Sequence, residues 1–255
     1  MDYTKLMDFT GKVVLVSGAS RGIGEAIVRA FAANGADVIV SSRRQESCDA
    51  VAESIVEAGG KAAAKAAHAG HMDEITALMQ WVEATYGRLD VLVNCGGTNP
   101  HFGLIGDTPE SAFDKTVDVN VKGPFYLSAA AVKMMEKQGG GAIVNVASIN
   151  GISPGQWQGI YSMTKAALIN MTKAYAHEYG DKGIRVNAIC PGLVETKMTS
   201  ALTSNPDIME TITSRFAIKR PGQPDDMVGG TLYLASDAAA FTTGTTLVMD
   251  GGYSA

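Results

Sequence analysis

Tyr161 and Lys165 stand four residues apart in Tyr161-Ser162-Met163-Thr164-Lys165, so on a helix both project from one face. An ammonium beside a phenol favours the phenolate, lowering a pKa that starts at about 10 towards the range useful for proton transfer. That spacing alone recurs by accident and decides little. Thirteen residues before Tyr161, Ser148 follows the apolar run Ala142–Ala147, and Asn120 stands in Asn120-Val121-Lys122-Gly123. These four side chains are the candidates for chemistry.

A second cluster points to a phosphate. Ser17-Gly18-Ala19-Ser20-Arg21-Gly22-Ile23-Gly24 follows an apolar run and opens a helical pattern. Glycine allows a tight turn and close backbone approach to a pyrophosphate, and the helix start supplies free N–H groups and positive potential. The spacing is G-x-x-x-G-x-G, not G-x-G-x-x-G. After the next apolar run, where an NAD site would carry Asp or Glu for the ribose hydroxyl, the chain has Ser41-Ser42-Arg43-Arg44. A carboxylate would repel a 2′-phosphate, whereas Arg43, helped by Arg21, offers charge-assisted partners for it. NADP(H) is therefore expected over NAD(H). The alternative reading makes Arg43 and Arg44 a solvated helix face.

The elements that must position these groups alternate. Lys12–Ser17, Asp37–Ser42, Lys61–Ala67, Leu89–Asn94, Ala142–Ala147, Ile184–Ile189 and Thr245–Met249 read as strands, mostly apolar or β-branched without alternation. Between them Ile23–Asn34, Glu46–Ala58, Asp73–Tyr86, Pro109–Lys137, Tyr161–Tyr179 and Asp225–Ala235 read as helices. The pattern predicts one α/β domain over 1–255: a Rossmann-like, doubly wound parallel sheet of about seven strands, helices on both faces. Residues 193–220 contain no strand, only amphipathic pieces carrying Met198, Leu202, Ile208, Met209, Ile212 and Phe216. Placed after a strand's carboxyl end, that insertion predicts an apolar substrate lid.

Composition narrows the classes. The 255 residues are 46% hydrophobic and carry a net charge of −5 with no Lys/Arg-rich run, which argues against a non-specific nucleic-acid binder. No apolar run approaches the roughly 20 residues of a membrane span, and residues 1–12 lack the apolar core of a signal peptide. Cys48, Cys95 and Cys190 are odd in number and scattered, so reduced thiols in a cytoplasmic protein are expected.

With Ser17–Gly24, Asn94–Gly97, Asn120–Gly123, Ser148, Tyr161–Lys165, Pro191-Gly192 and Asp250-Gly251-Gly252 in order, the chain resembles the short-chain dehydrogenase/reductase family over essentially its whole length. The resemblance implies reversible hydride transfer between a nicotinamide and a carbonyl or alcohol, using a Ser–Tyr–Lys–Asn tetrad. Tyr161 would be the acid/base and Ser148 would hydrogen-bond the substrate oxygen. Lys165 would bind the nicotinamide ribose and tune Tyr161, and Asn120 would help hold a water relay. Gly18, Ser20, Arg21, Gly22, Ile23, Gly24, Ser42, Arg43 and Arg44 would hold the phosphates. Asn94, Cys95, Gly96, Pro191, Gly192, Val194 and Thr196 would line the nicotinamide side. A homotetramer is also implied, its Gly-Gly-Tyr-Ser-Ala tail near a subunit contact.

Three departures stand out. Ser17-Gly18 replaces Thr-Gly, and Asn94-Cys95-Gly96-Gly97 replaces Asn-Asn-Ala-Gly. An aspartate near the adenine is replaced by His68-Ala69, where His68 could hydrogen-bond or stack. Among the remaining candidates, His68 and His71 lack a carboxylate or cysteine that would complete a zinc set, and no metal is expected. Cys95 and Cys190 read as small buried hydrophobes. Trp157 could flank a substrate or simply pack.

The expected function is an NADP(H)-dependent reductase of ketones or aldehydes, with a small-molecule carbonyl or alcohol as partner. Two alternatives remain: a 3-oxoacyl carrier-protein reductase, with Lys182 compatible with an acidic carrier, and a catalytically inactive dinucleotide-binding scaffold.

Overall fold

The computed structural model describes residues 5–200 and 206–255, with only the backbone of 206–208 and 211. Seven strands form one sheet: β1 Val13–Ser17, β2 Asp37–Ser41, β3 Lys61–Ala64, β4 Val91–Asn94, β5 Gly141–Val146, β6 Ile184–Pro191 and β7 Thr246–Met249. All pairings are parallel, in the order β3-β2-β1-β4-β5-β6-β7. Helices cover both faces, the doubly wound arrangement that the strand–helix alternation predicts.

Strand residues explain why both faces are covered. In β1, Val14 and Val16 pack into a core cluster with Ile27 and Phe31 of α1 (Gly22–Ala33) and Val51 and Ile55 of α2 (Gln45–Glu57). Val13 and Leu15 point the other way, to Leu78 and Val82 of α3 (Met72–Tyr86) and Met135 of α5 (Gly123–Lys137). Alternate side chains leave a strand on opposite faces, so a strand apolar throughout needs helices on both sides.

Register aligns the chemistry. Ser17 lies opposite Ser41 on one side and Asn94 on the other, and Asn94 lies opposite Asn145. The carboxyl ends of β1, β2, β4 and β5 thus share one edge. The loops with the glycine cluster, Arg43, Cys95-Gly96 and Ser148 all leave from it, where open α/β sheets bind ligands.

Several expected boundaries move. β3 stops at Ala64, and β4 begins at Val91 because Asp90 turns its carboxylate to accept from Val13 N at 2.8 Å. β6 runs on to Pro191, paired with Met249 of β7. The helix expected from Tyr161 starts at Gly159 (α6, Gly159–Tyr179), and the expected Asp225–Ala235 helix begins as a short 3-10 turn, Pro224–Met227.

The largest correction concerns Pro109–Lys137. It is not one helix but α4 (Glu110–Val117), a π turn (Asp118–Lys122) and α5. Pro124 has no N–H for the Asn120 carbonyl, and Gly123 N donates instead to Asp118 O. In the 193–220 insertion, α7 spans Pro206–Ser214 and Phe216 is buried, while Met198 is exposed. Leu202 lies outside the described residues, as does the Ile208 side chain. The last helix, α8, is Val228–Ala235.

Candidate active site

Asn120 is fully buried inside the π turn. Its Oδ1 accepts from Thr98 N at 2.8 Å, and its Nδ2 donates to Thr98 O at 2.9 Å and Thr164 Oγ1 at 3.1 Å. The side chain thereby ties the β4 loop to α6, and both amide hydrogens are already engaged. The Asn120 main-chain carbonyl, which Pro124 cannot pair, offers a further acceptor for a water.

Lys165 is equally enclosed. Its Nζ donates to Val146 O at 2.8 Å and lies 5.6 Å from the centre of the Tyr161 ring. A Cβ on Gly97 would sit 3.6 Å from Lys165 Nζ and 3.7 Å from Asn120 Oδ1, so both groups border the β4 loop at one place. Ser148 caps the short turn Ile149–Gly151 by accepting from Asn150 N at 3.1 Å, which leaves its hydroxyl proton for Tyr161. The structure brings Asn120, Ser148, Tyr161 and Lys165 to the carboxyl edge of β4 and β5.

The electrostatics correct one expectation. Burial pushes the Tyr161 phenol up to about 12, and only part of that is offset by the hydrogen bond from Ser148. Burial also pulls Lys165 down to about 8. The sequence spacing predicts an ammonium that lowers the tyrosine. Desolvation disfavours both charged forms and sets the direction of both shifts. Cys95 and Cys190 are pushed up to about 12 and about 11, again mainly by burial, which leaves both thiols protonated.

At the other end of the edge lies the glycine turn. Gly18 has φ +73, and a Cβ there would come within 2.6 Å of Gly96 N; on Gly24 it would meet Gly18 O at 2.3 Å. These backbones touch because the side chains are missing. The N-cap residue Arg21 makes no side-chain capping bond, leaving the α1 start open to an anion. Ser20 Oγ donates to Ser42 Oγ at 3.0 Å, joining the β1 and β2 loops. Among the described residues no ion pair occupies Arg21, Arg43 or Arg44. Thr196 arrives from the β6 loop, its Cγ2 at 3.4 Å from a Cβ built on Gly22.

Other predicted residues also make contacts within the chain. The Val194 side chain is buried in the core cluster with Ile23, and Gly192 packs against Asp250, where a Cβ would lie 2.8 Å from the Asp250 Cα. His68 stacks on His71 with ring centres 4.1 Å apart, and its Nδ1 accepts from Gly70 N at 3.0 Å. Burial first, then His71 and Arg43, hold its pKa below the ordinary histidine value. Ala69 meets the π turn, since a Cβ on Gly123 would lie 2.2 Å from Ala69 O. A carboxylate does lie beside the two histidines. Glu74 accepts from His68 N at 2.8 Å, and its other oxygen lies 2.6 Å from His71 Nδ1. Among the described residues no three His, Cys, Asp or Glu side chains gather as metal ligands.

Sequence reasoning missed a buried polar ladder beneath the site. Asn94 Nδ2 donates to Asn145 Oδ1 at 2.9 Å and to Ser128 Oγ at 3.1 Å, and Asn145 Nδ2 donates to Thr172 Oγ1 at 2.8 Å. It fixes α6 against β5, and so Tyr161 against Ser148. Asn145 inside an apolar strand was the available signal. Trp157 was also only half read. It is the one described non-glycine residue with positive φ, +61, a conformation costing about 1–3 kcal/mol.

A sequence model of the family described as Enoyl-(Acyl carrier protein) reductase matches residues 18–254. Human Dehydrogenase/reductase SDR family member 4 is 36% identical over 249 residues, covering 98% of this chain and 90% of that one. The chain belongs to the short-chain dehydrogenase/reductase family. It is thereby similar to oxidoreductases along nearly its full length. A gluconate 5-dehydrogenase from Burkholderia cenocepacia J2315, solved with NADP and tartrate, superposes with TM-score 0.94 at 27% identity, covering 98% of each chain. A 7α-hydroxysteroid dehydrogenase, solved with NADH and 7-oxo glycochenodeoxycholic acid, gives 0.94 at 31% identity, covering 99% of this chain and 98% of that one. Both short-chain dehydrogenase/reductase neighbours bind a nicotinamide dinucleotide, and the open turn with glycines at 18, 22 and 24 fits that cofactor class. No described helix is long and apolar enough to cross a membrane.

Proposed function

We propose that this chain reduces neutral ketones or aldehydes reversibly with NADP(H). The observation that carries this reading is the convergence of Ser148 and Tyr161, flanked by Lys165 and Asn120, beside the glycine cradle. Two hydroxyls meeting at one place suit an oxygen on which charge develops, hence a C=O bond rather than an isolated C=C bond. The nicotinamide, when bound, supplies a hydride to the carbonyl carbon.

The protein's own residues do the rest. Ser148 Oγ–H hydrogen-bonds the carbonyl oxygen and orients it. Tyr161 Oη gives that oxygen its proton, and the Lys165 ammonium stabilises the phenolate left behind. The proton is restored through water held at the Asn120 carbonyl. Oxidation of the alcohol uses the same groups in reverse. Gly18, Gly22 and Gly24 admit the pyrophosphate to the α1 start, while Arg43 and Arg21, with Ser20 and Ser42, take the 2′-phosphate. Two cations without carboxylate partners among the described residues support NADP over NAD.

The crevice walls support a neutral substrate. Residues 98–106 and 149–159 contain no Asp, Glu, Lys or Arg, so neither loop offers a permanent cation to a carboxylate substrate. For a carrier-linked thioester, Lys182 would be the docking cation, but it is paired with Glu136. Self-association as a tetramer belongs to the same proposal, supported by exposed Phe125 and Tyr126 on α5.

The test is a panel of neutral ketones, sugar acids and carrier-linked 3-oxoacyl thioesters, each with NADPH and NADH, followed by nicotinamide absorbance. NADPH consumption with neutral ketones is expected. Turnover confined to the thioesters, or binding of NADPH without turnover of any carbonyl, would overturn the proposal.

A further inference from the structure

The two loops that frame the tetrad are fastened to each other. Gly103 N donates to Trp157 O at 2.9 Å, forming a bridge between Gly103 and Gln158, and Asn99 Nδ2 donates to Gln158 Oε1 at 3.3 Å. Ile105 packs over the first turn of α6 so closely that a Cβ on Gly159 would lie 2.7 Å from it. Both loops therefore move as one unit with Tyr161, two residues beyond Gly159.

On this unit two large rings stand in solvent. Phe102 is 54% exposed and Trp157 50% exposed, with ring centres 5.9 Å apart in an edge-to-face contact. Folding alone would hide such rings, not hold one of them out on a strained backbone. Trp157 has φ +61, a region that bulky side chains avoid, and its carbonyl is held there by Gly103. Ile152, from the turn after Ser148, adds a further exposed apolar side chain, and no charged residue interrupts either loop.

We propose that Phe102 and Trp157 form an aromatic clamp that selects carbonyl substrates carrying a flat, apolar ring system next to the reacting carbon. The inference rests on the carbonyl-reduction reading above and adds the substrate class. The indole and phenyl rings supply contact area and edge-to-face geometry at little cost in side-chain entropy. Their attachment to the loop that Asn120 pins at Thr98 holds the clamp in fixed relation to the tetrad.

The test uses a pair of ketones differing by one fused benzene ring, cyclohexanone and β-tetralone. With wild type, kcat/KM should favour β-tetralone. In Trp157→Ala that preference should fall about tenfold, the effect of losing one buried ring contact, mainly through the KM for β-tetralone. Trp157→Gly should lose the same preference yet melt at a higher temperature than Trp157→Ala, because glycine accepts the positive φ. Phe102→Ala should act in the same direction to a smaller extent.

A second readout does not need turnover. The chain has two tryptophans, and Trp81→Phe leaves Trp157 as the only emitter. Titrating β-tetralone into the NADP⁺ complex of that variant should quench its emission in a saturable way, whereas cyclohexanone should quench far less. An unchanged preference in both Trp157 variants with ketone reduction intact overturns the clamp and leaves the reduction reading standing. Saturable quenching by β-tetralone without turnover of any ketone supports the clamp and overturns the reduction reading. Absence of quenching by β-tetralone overturns the clamp.

Discussion

The crevice has an inner wall and an outer rim, and the two are built on opposite principles. Asn120, Lys165 and Ser148 are buried, and each holds a fixed hydrogen bond to the backbone of a neighbouring element. Phe102, Trp157, Arg21, Arg43 and Arg44 stand at least partly in solvent, and among the described residues no carboxylate pairs with the three arginines. A group that must meet a reacting atom within tenths of an ångström is held by several bonds. A group that sorts ligands can wait for one. On the proposed function, chemistry is written inside and selectivity outside.

Under that division the largest effects belong to the inner wall. Tyr161→Phe should cut kcat for ketone reduction by roughly 10³-fold while leaving NADPH affinity within about threefold, as loss of a positioned proton donor requires. Steady-state kinetics with a fluorescence titration of NADPH separates the two quantities. Residual activity near wild type would remove the inner wall from the chemistry.

A rim substitution should act on one ligand and not on the chemistry. Arg43→Ala should raise the KM for NADPH by about tenfold or more, with little change for NADH and a similar kcat at saturation. Equal losses with both cofactors would make Arg43 a mere surface residue.

The pH dependence reports the inner wall again. Lys165 has its pKa lowered by burial to about 8, so its charged form destabilises the fold below that value. As pH rises through about 8 the folded protein sheds this proton, while the unfolded chain keeps it until about 10.5. Stability from this group therefore increases with pH between those limits. Lys165→Met should be more stable than wild type at neutral pH, by roughly 2–4 kcal/mol before the lost bond to Val146 O is subtracted, and the difference should shrink towards pH 10.5. Urea unfolding across that range checks the sign. Reduction by wild type should decline above about pH 8, as the ammonium that supports the Tyr161 phenolate is lost.

The smallest expected effect contrasts two glycines. A Cβ on Gly96 would meet nothing closer than 3.7 Å, and its φ is not positive, so Gly96→Ala should stabilise by about 0.5 kcal/mol. Gly18→Ala, facing backbone at 2.6 Å with φ +73, should instead destabilise and weaken cofactor binding. Thermal melts with and without NADPH compare the pair.

The rhythm of the fold was legible because fully apolar strands such as Val13–Ser17 admit few other placements in a chain of alternating helices. Glycine spacing at 18, 22 and 24 marked the cradle for the same reason: close backbone approach demands that residue. What escaped depends on contacts that the pattern of one element does not carry. The π turn at Asn120 required weighing Pro124 against an otherwise continuous helical pattern. The Asn94–Asn145–Thr172 ladder joins two strands and a helix, and its one local signal, Asn145 in an apolar strand, does not name the partners. The opposed shifts of Tyr161 and Lys165 follow from burial, which their four-residue spacing does not contain. Trp157 could be noticed in the sequence, but its left-handed backbone could not.

The most direct measurement follows the transferred hydrogen. NADPH carrying deuterium at both positions of its transferring carbon, incubated with the protein and cyclohexanone, should give cyclohexanol with one deuterium on the carbinol carbon, and Tyr161→Phe should give almost none. Alcohol without deuterium at that carbon, or tight NADPH binding with no alcohol formed, would contradict the account.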